Sequence, residues 1–247
     1  MRQETSAKVD YGIDAPDVLK SMAIRGGVFA FFGLLIWFMN RTLMPGRAMA
    51  MLGLLGAIGV VYLVVAAVMF WSSRVGKLRV RDRLLDALAL RGDEKVLDVG
   101  CGRGLFLIGA ARRLTSGRGT GVDIWSDEDL SSNSPDAARA NAKAEGVADR
   151  IRIEDADARK LPYASESFDV VLSSLTIHNI EDRDERAQAI AEIVRVLKKG
   201  GRLALFDIRH TGEYADQLRQ LGMAEVSLSP FSFLWCQPAR SLTARKS

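Results

Sequence analysis

A chain of 247 residues has room for one large domain, or for a medium domain with an appendage. It is 48% hydrophobic and 26% charged with a net charge of +4, which is too little basicity to argue for nucleic acid and suits an anionic membrane surface equally well. Two cysteines, Cys101 and Cys236, stand at no metal-ligand spacing and read as reduced thiols; with only two histidines, no metal site is expected.

Apolar residues crowd into the first third. Residues 1–22 are polar and mixed in charge. Uncharged runs follow at 26–40 and 48–73, and the second exceeds the roughly 20 residues that cross a bilayer. The first run is short, and by length it fits a core helix or a span. Arg25 and Arg41 at its ends, with Trp37 and Phe38 near one end, favour a span. "RTLMPGR" then makes a tight connection, so residues 23–75 are expected to form a two-helix transmembrane hairpin. Gly53 and Ala57 offer a small-residue face for it. "AMA" at 48–50 resembles a signal cleavage site, but a second long apolar run follows directly. Basic residues before the first run and after the second outnumber Arg41 and Arg47 between them, which places both ends, and residues 76–247, on the cytoplasmic side.

From residue 77 the texture changes to alternating strand and helix. "KLRVRDRLLDALAL" has helical spacing, "KVLDVG" reads as a strand, "LFLIGAARRLT" as a helix, "GTGVDIW" as a strand and "SPDAARANAKAEGV" as a helix opened by Pro135. "RIRIEDAD" and "FDVVLSSLTI" are strands, and "DERAQAIAEIVRVLKKGG" is a helix ended by glycine. "RLALFDI", the helix "GEYADQLRQLG", and the candidate strands "AEVSLSP" and "RSLTARKS" complete the chain. Continuous apolar strands alternating with helices predict a mostly parallel, doubly wound sheet.

"VLDVGCGRG" ends the first strand on Asp98 and removes side chains at Gly100, Gly102 and Gly104. Glycines there let backbone approach a ligand, and the next helix offers free N–H groups. A dinucleotide fold uses G-x-G-x-x-G for pyrophosphate, whereas the spacing here is G-x-G-x-G with an acid just upstream. Asp98 is a poor neighbour for pyrophosphate and a good one for an ammonium group, unless it only caps the following turn. Asp123, ending the second strand, can accept ribose hydroxyls. Asp157 or its backbone can take an adenine amino group unless it is an ordinary loop acid, and Ile124 supplies an apolar face.

The pieces "VLDVGCGRG", "GVDI", "DADARKLPY", "SFDVVLSSLTIHN" and "EIVRVLKKGGRLALFDI" together resemble the class I S-adenosylmethionine-dependent methyltransferases, most of all the branch acting on small molecules, quinones and lipids. That resemblance implies an α/β doubly wound, mostly parallel seven-stranded sheet with a reversed last strand, and S-adenosyl-L-methionine as cofactor. By position it puts Asp98 beside the methionine amino group, Gly100, Cys101, Gly102 and Gly104 along the loop, Asp123 on the ribose, Asp157 and Ala158 at the adenine edge and Ser173 beneath the methionine end. Methyl transfer needs alignment and exclusion of water, and a base only where the acceptor must lose a proton. His178 and His210 are candidate bases or acceptor ligands, and Tyr214 a candidate donor. Because "DIRHTGEYADQL" leaves no room for a long lid, an open pocket and a membrane-borne lipid or apolar small-molecule acceptor are expected. A protein methyltransferase and a non-catalytic cofactor-binding module are the alternatives.

Overall fold

The computed structural model describes residues 9–126, 133–235 and 237–247, so the thiol reading of Cys236 lies outside the described residues. The chain divides into two compact units, one formed by residues 13–76 and the other by residues up to Gly12 together with 77–247.

The smaller unit holds helix α1, Pro16–Asn40, and helix α2, Pro45–Trp71, followed by a π-turn at Ser72–Gly76. α1 starts several residues ahead of its apolar run because Pro16 suits a first helical turn and Asp17 complements the N-terminal dipole. At 25 and 27 residues, the helices are about 37 and 40 Å long by the 1.5 Å rise, against a hydrocarbon core of about 30 Å. Both are long and apolar enough to cross a membrane. Their large side chains, among them Phe31, Phe38, Val61 and Val64, are exposed.

Close packing between the two helices runs through Gly26, Gly33 and Gly59. A methyl at Gly26 would meet Leu63 and the Gly59 carbonyl, and one at Gly59 the Gly26 carbonyl. The expected Gly53–Ala57 face is corrected, since both are exposed and Gly53 faces open space. Gly53 precedes Gly59 by six residues, about 600° of helical rotation, and so looks away from α1. Arg41 lies over the rings of Trp37 (5.4 Å) and Phe38 (4.7 Å), a cation held at the helix end.

The larger unit carries α3 (Lys77–Ala87), β1 (Lys95–Val99), α4 (Leu105–Ala111), β2 (Arg118–Asp123), α5 (Pro135–Ala144), β3 (Ile151–Asp155), β4 (Phe168–Ser174), α6 (Arg183–Val196), β5 (Leu197–Asp207), α7 (Thr211–Gln220), β6 (Met223–Leu228) and β7 (Arg240–Lys246). Its seven strands run in the order β3-β2-β1-β4-β5-β7-β6, with β7 antiparallel to both neighbours. Strand order reverses direction at β1, which pairs with β2 on one side and β4 on the other, and the crevice beyond the carboxyl ends there is the place for a ligand. One apolar cluster joins Leu97, Val171, Ile190, Leu203 and Leu218, and a second on the other face joins Leu85, Val96, Phe106, Val170 and Phe206.

One boundary differs from the sequence expectation. α6 stops at Val196, and "LKKGG" belongs to β5, where Leu197 pairs with Phe168 and a bulge precedes the pairing of Arg202 with Val170. Gly200, at φ 72°, serves this bulge rather than a helix cap.

Ahead of α1 the chain binds back onto the larger unit. Asp10 N donates to Asn141 Oδ1 (2.9 Å), Asn141 Nδ2 donates to Asp10 O (2.9 Å), and Arg103 Nε also donates to Asp10 O (2.8 Å). Lys77 Nζ, on a buried side chain, donates to the carbonyls of Tyr11 (2.9 Å) and Gly12 (2.7 Å).

Candidate functional site

Five parallel strands end together, and their last residues supply the site. β1 delivers Asp98 into the glycine loop, β2 ends on Asp123, β3 on Asp155, β4 on Ser173 and Ser174, and β5 on Asp207.

The loop is folded by backbone. Gly100 N and Cys101 N both donate to Val122 O (2.8 and 3.0 Å), and Gly104 N to Cys101 O (2.8 Å). Gly100, Gly102 and Gly104 have φ of 74°, 50° and 84°, a region glycine enters without penalty. A Cβ on Gly100 would run into the Thr176 side chain, whose hydroxyl donates to Gly100 O (3.3 Å). Cys101 is buried beside the loop. Burial, with the charges of Asp98 and Asp123 adding to it, pushes its thiol well above the ordinary value and keeps it neutral.

Asp98 is 1% exposed. Its Oδ2 accepts from Leu107 N at 2.8 Å, so it does cap α4, but Oδ1 has no partner. Burial drives its pKa up to about 7, against the Leu107 amide and with the Asp123 charge raising it further. A buried carboxylate oxygen without a donor fits the ammonium of an amino-acid moiety.

Asp123 is tied into the loop. Oδ2 accepts from Gly102 N (2.8 Å), and Oδ1 from Trp125 N (2.7 Å) and, more weakly, Asn133 Nδ2 (3.4 Å), which leaves a lone pair on Oδ2 for a hydroxyl. Trp125 Nε1 donates to Asp155 Oδ1 at 2.5 Å, fixing the indole over the ends of β2 and β3. Ile124 is 66% exposed next to it, an apolar face. Asp157 is engaged differently from the expectation. Arg159 donates to both its oxygens (2.6–3.0 Å), holding the carboxyl below the usual carboxylate range, and Arg159 also pairs with Glu185. With its carboxylate so occupied, Asp157 and Ala158 offer their backbone groups at this point. Ser173 is 3% exposed with a hydroxyl that has no partner, one residue beyond the β4 position paired with Asp98.

On the acceptor side, His178 lies in a short 3₁₀ turn, Ile177–Asn179. Its Nδ1 is 2.6 Å from Asp207 Oδ1, with an approach oblique to a ring N–H, and its backbone N–H donates to Asp207 Oδ2 (3.2 Å). Asp207 is 2% exposed, and Oδ1 also accepts from Ile208 N (2.8 Å). Sequence reasoning missed Asp207. It stands 29 residues from His178, and only the β4–β5 pairing, Ser174 beside Phe206, brings the two together. Tyr214 is 1% exposed and part of the core; burial first, then the Asp207 charge, raises its phenol well above normal, so it stays protonated behind Asp207. His210 is exposed at the start of α7 with its ring 6.4 Å from that of Tyr214, and the structure gives it no contact with His178. The pair brought together is therefore His178 with Asp207, joined by the His178 backbone N–H and by the close approach of Nδ1.

Residues 97–205 match the family model described as a methyltransferase domain. Over 138 residues the chain is 37% identical to Methyltransferase GfsG of Streptomyces halstedii, covering 56% of this chain and 46% of that protein. Over 131 residues it is 39% identical to 27-O-demethylrifamycin SV methyltransferase of Amycolatopsis mediterranei, covering 52% and 44%. The chain thus spans just under half the length of these curated relatives. The fold matches a SAM dependent methyltransferase from Aquifex aeolicus with a TM-score of 0.54 at 17% identity, over 68% of this chain and 89% of that one. Residues 97–205 are a methyltransferase domain of the S-adenosylmethionine-dependent kind.

Proposed function

We propose that this chain is a membrane-anchored methyltransferase that acts on a lipid or apolar small molecule, with its catalytic domain on the cytoplasmic side. The observation that carries the reading is the presence, in one chain, of an orphaned buried carboxylate oxygen above the glycine loop and of two unbroken apolar helices with outward-facing large side chains. Bound S-adenosylmethionine supplies an electrophilic methyl group on a sulfonium. Asp98 Oδ1 holds the cofactor's ammonium, Asp123 its ribose, and Ile124 one face of its adenine. His178 receives the proton of an acceptor hydroxyl at Nε2, while Asp207, 2.6 Å from Nδ1 and bonded to the His178 backbone N–H, stabilises the charge that forms. The acceptor oxygen would thereby gain the methyl as the methyl–sulfur bond breaks and a neutral thioether leaves, its own proton passing to His178. Asp207 is a positioning residue in this scheme, since it touches His178 and not the acceptor.

The test is transfer of labelled methyl groups into native membranes by the full chain. Label is expected in the organic extract. Label in the protein fraction would replace the reading with a protein methyltransferase, and label in neither, with cofactor still bound, would leave a binding module. His178→Ala is expected to lower transfer at least ~100-fold, in the range general-base removal produces. Asp207→Asn is expected to lower turnover less and to move the pH profile. A rate within about threefold of wild type for His178→Ala would remove the base from the mechanism.

A further inference from the structure

β6 ends at Leu228, and β7 begins at Arg240, which pairs with Asp207 at the carboxyl end of β5. The connection from 229 to 239 therefore stands on the same edge of the sheet as His178 and the glycine loop. It is built rather than slack. Ser229 N donates to Ser241 O (2.8 Å), Ser232 N to Ala239 O (2.7 Å) and Ala239 N to Ser232 O (3.1 Å). Trp235 turns inward onto Phe206 with ring centroids 6.1 Å apart and is 7% exposed.

Phe231 and Phe233 turn outward, 59% and 72% exposed. Alternation in an extended segment puts both on one side. Among the described residues of this unit, four large apolar side chains are exposed: Ile124, Leu221, Phe231 and Phe233. Three lie at the carboxyl edge, and Ile124 has the role already given to it. Arg240 places its guanidinium 5.1 Å from the Phe231 ring centroid, and its Nε donates to Ser229 O (2.7 Å). Aromatic rings flanked by a cation are the composition that settles at the headgroup boundary.

We propose that residues 229–235 form an aromatic prong that dips into the interfacial layer of a bilayer beside the acceptor side of the site. The proposal rests on the membrane anchoring proposed above and adds a second, separate contact. Two phenylalanines and one arginine are far short of the roughly 800 Å² per partner that a stable protein interface needs. They suffice for a weak lipid contact, because an anchored chain meets the bilayer at high effective concentration. The prong would set the open edge of the sheet against the layer in which an apolar acceptor is dissolved.

The full chain, reconstituted into phosphatidylcholine–phosphatidylglycerol vesicles, tests this. An environment-sensitive fluorophore is placed at Phe233→Cys, or at Asp149→Cys on the opposite edge of the sheet, with Cys236→Ser in both. Lipids carrying a doxyl quencher near the headgroup are expected to quench the label at 233 at least about twofold more than the label at 149. Equal quenching at the two sites overturns the proposal. So does shielding of 233 from aqueous iodide without doxyl quenching, which would mean that a second copy or another protein covers the prong. Resistance of the same protein to carbonate extraction is read in parallel. Loss of that resistance would fail the anchoring, whereas retained resistance with an unquenched label fails the prong alone.

Discussion

Asp98 joins two demands that conflict in the cofactor-free protein. One oxygen caps α4 through Leu107 N, the other is buried with no donor, and the carboxyl titrates near 7. A carboxyl whose folded pKa lies above its ordinary value near 4 favours the folded state when protonated, so it withdraws stability as pH rises from about 4 to 7. A bound ammonium reverses this by favouring the ionised form. Affinity for S-adenosylhomocysteine should therefore rise with pH below about 7, by at most tenfold per unit, and level off above it. Titration calorimetry across that range should also find proton release on binding. Asp98→Asn should bind weakly with a flat profile between those pH values. A slope that survives the substitution would assign the titration to another group.

At the scale of the element, the strand-loop-helix around Gly100 is closed twice, by a φ of 74° and by the Thr176 side chain lying where a Cβ would go. Gly100→Ala then carries about 1–2 kcal/mol of left-handed strain plus the collision, and should weaken S-adenosylhomocysteine binding at least about tenfold. Adding Thr176→Gly should restore part of it, and binding of Gly100→Ala within about twofold of wild type would mean that the loop yields freely. Gly100 was legible in the sequence because strand, glycines and helix are consecutive, and so was the mostly parallel sheet, because β1, β4 and the second half of β5 read as apolar runs and strands alternate with helices. Thr176 and Asp207 were not. Each acts across the sheet on a residue far away in sequence, and neither leaves a local periodic signal. "LKKGG" misled for the opposite reason: glycines after a helical run usually cap it, and only the pairing with Phe168 draws Leu197 into β5. Nor did the sequence show that Arg159 would occupy the carboxylate of Asp157.

Over the whole molecule, the two ends of residues 13–76 return to the same place. Gly12 and Lys77 border that segment, and Lys77 Nζ donates to the carbonyls of Tyr11 and Gly12. Asp10 meanwhile clamps Arg103, inside the glycine loop, and Asn141 of α5. The few residues before α1 thus belong physically to the methyltransferase fold, and the apolar hairpin is an insertion into it. Cutting the chain at Lys77 removes two carbonyl acceptors from a buried ammonium and the strap that spans the loop. Breaking the partners of a buried charge costs about 3–5 kcal/mol, and each kcal/mol shifts the melting temperature of a domain this size by about 2–4 °C. A soluble form that begins at residue 77 should therefore melt at least ~5 °C below one in which residues 9–12 are joined to residue 77 by a short glycine–serine linker. The linked form should also bind S-adenosylhomocysteine more tightly, since there Asp10 again clamps Arg103 of the glycine loop. Equal melting temperatures, read by scanning calorimetry, would show that the strap adds nothing to the fold and that the domain starts where its first amphipathic helix does.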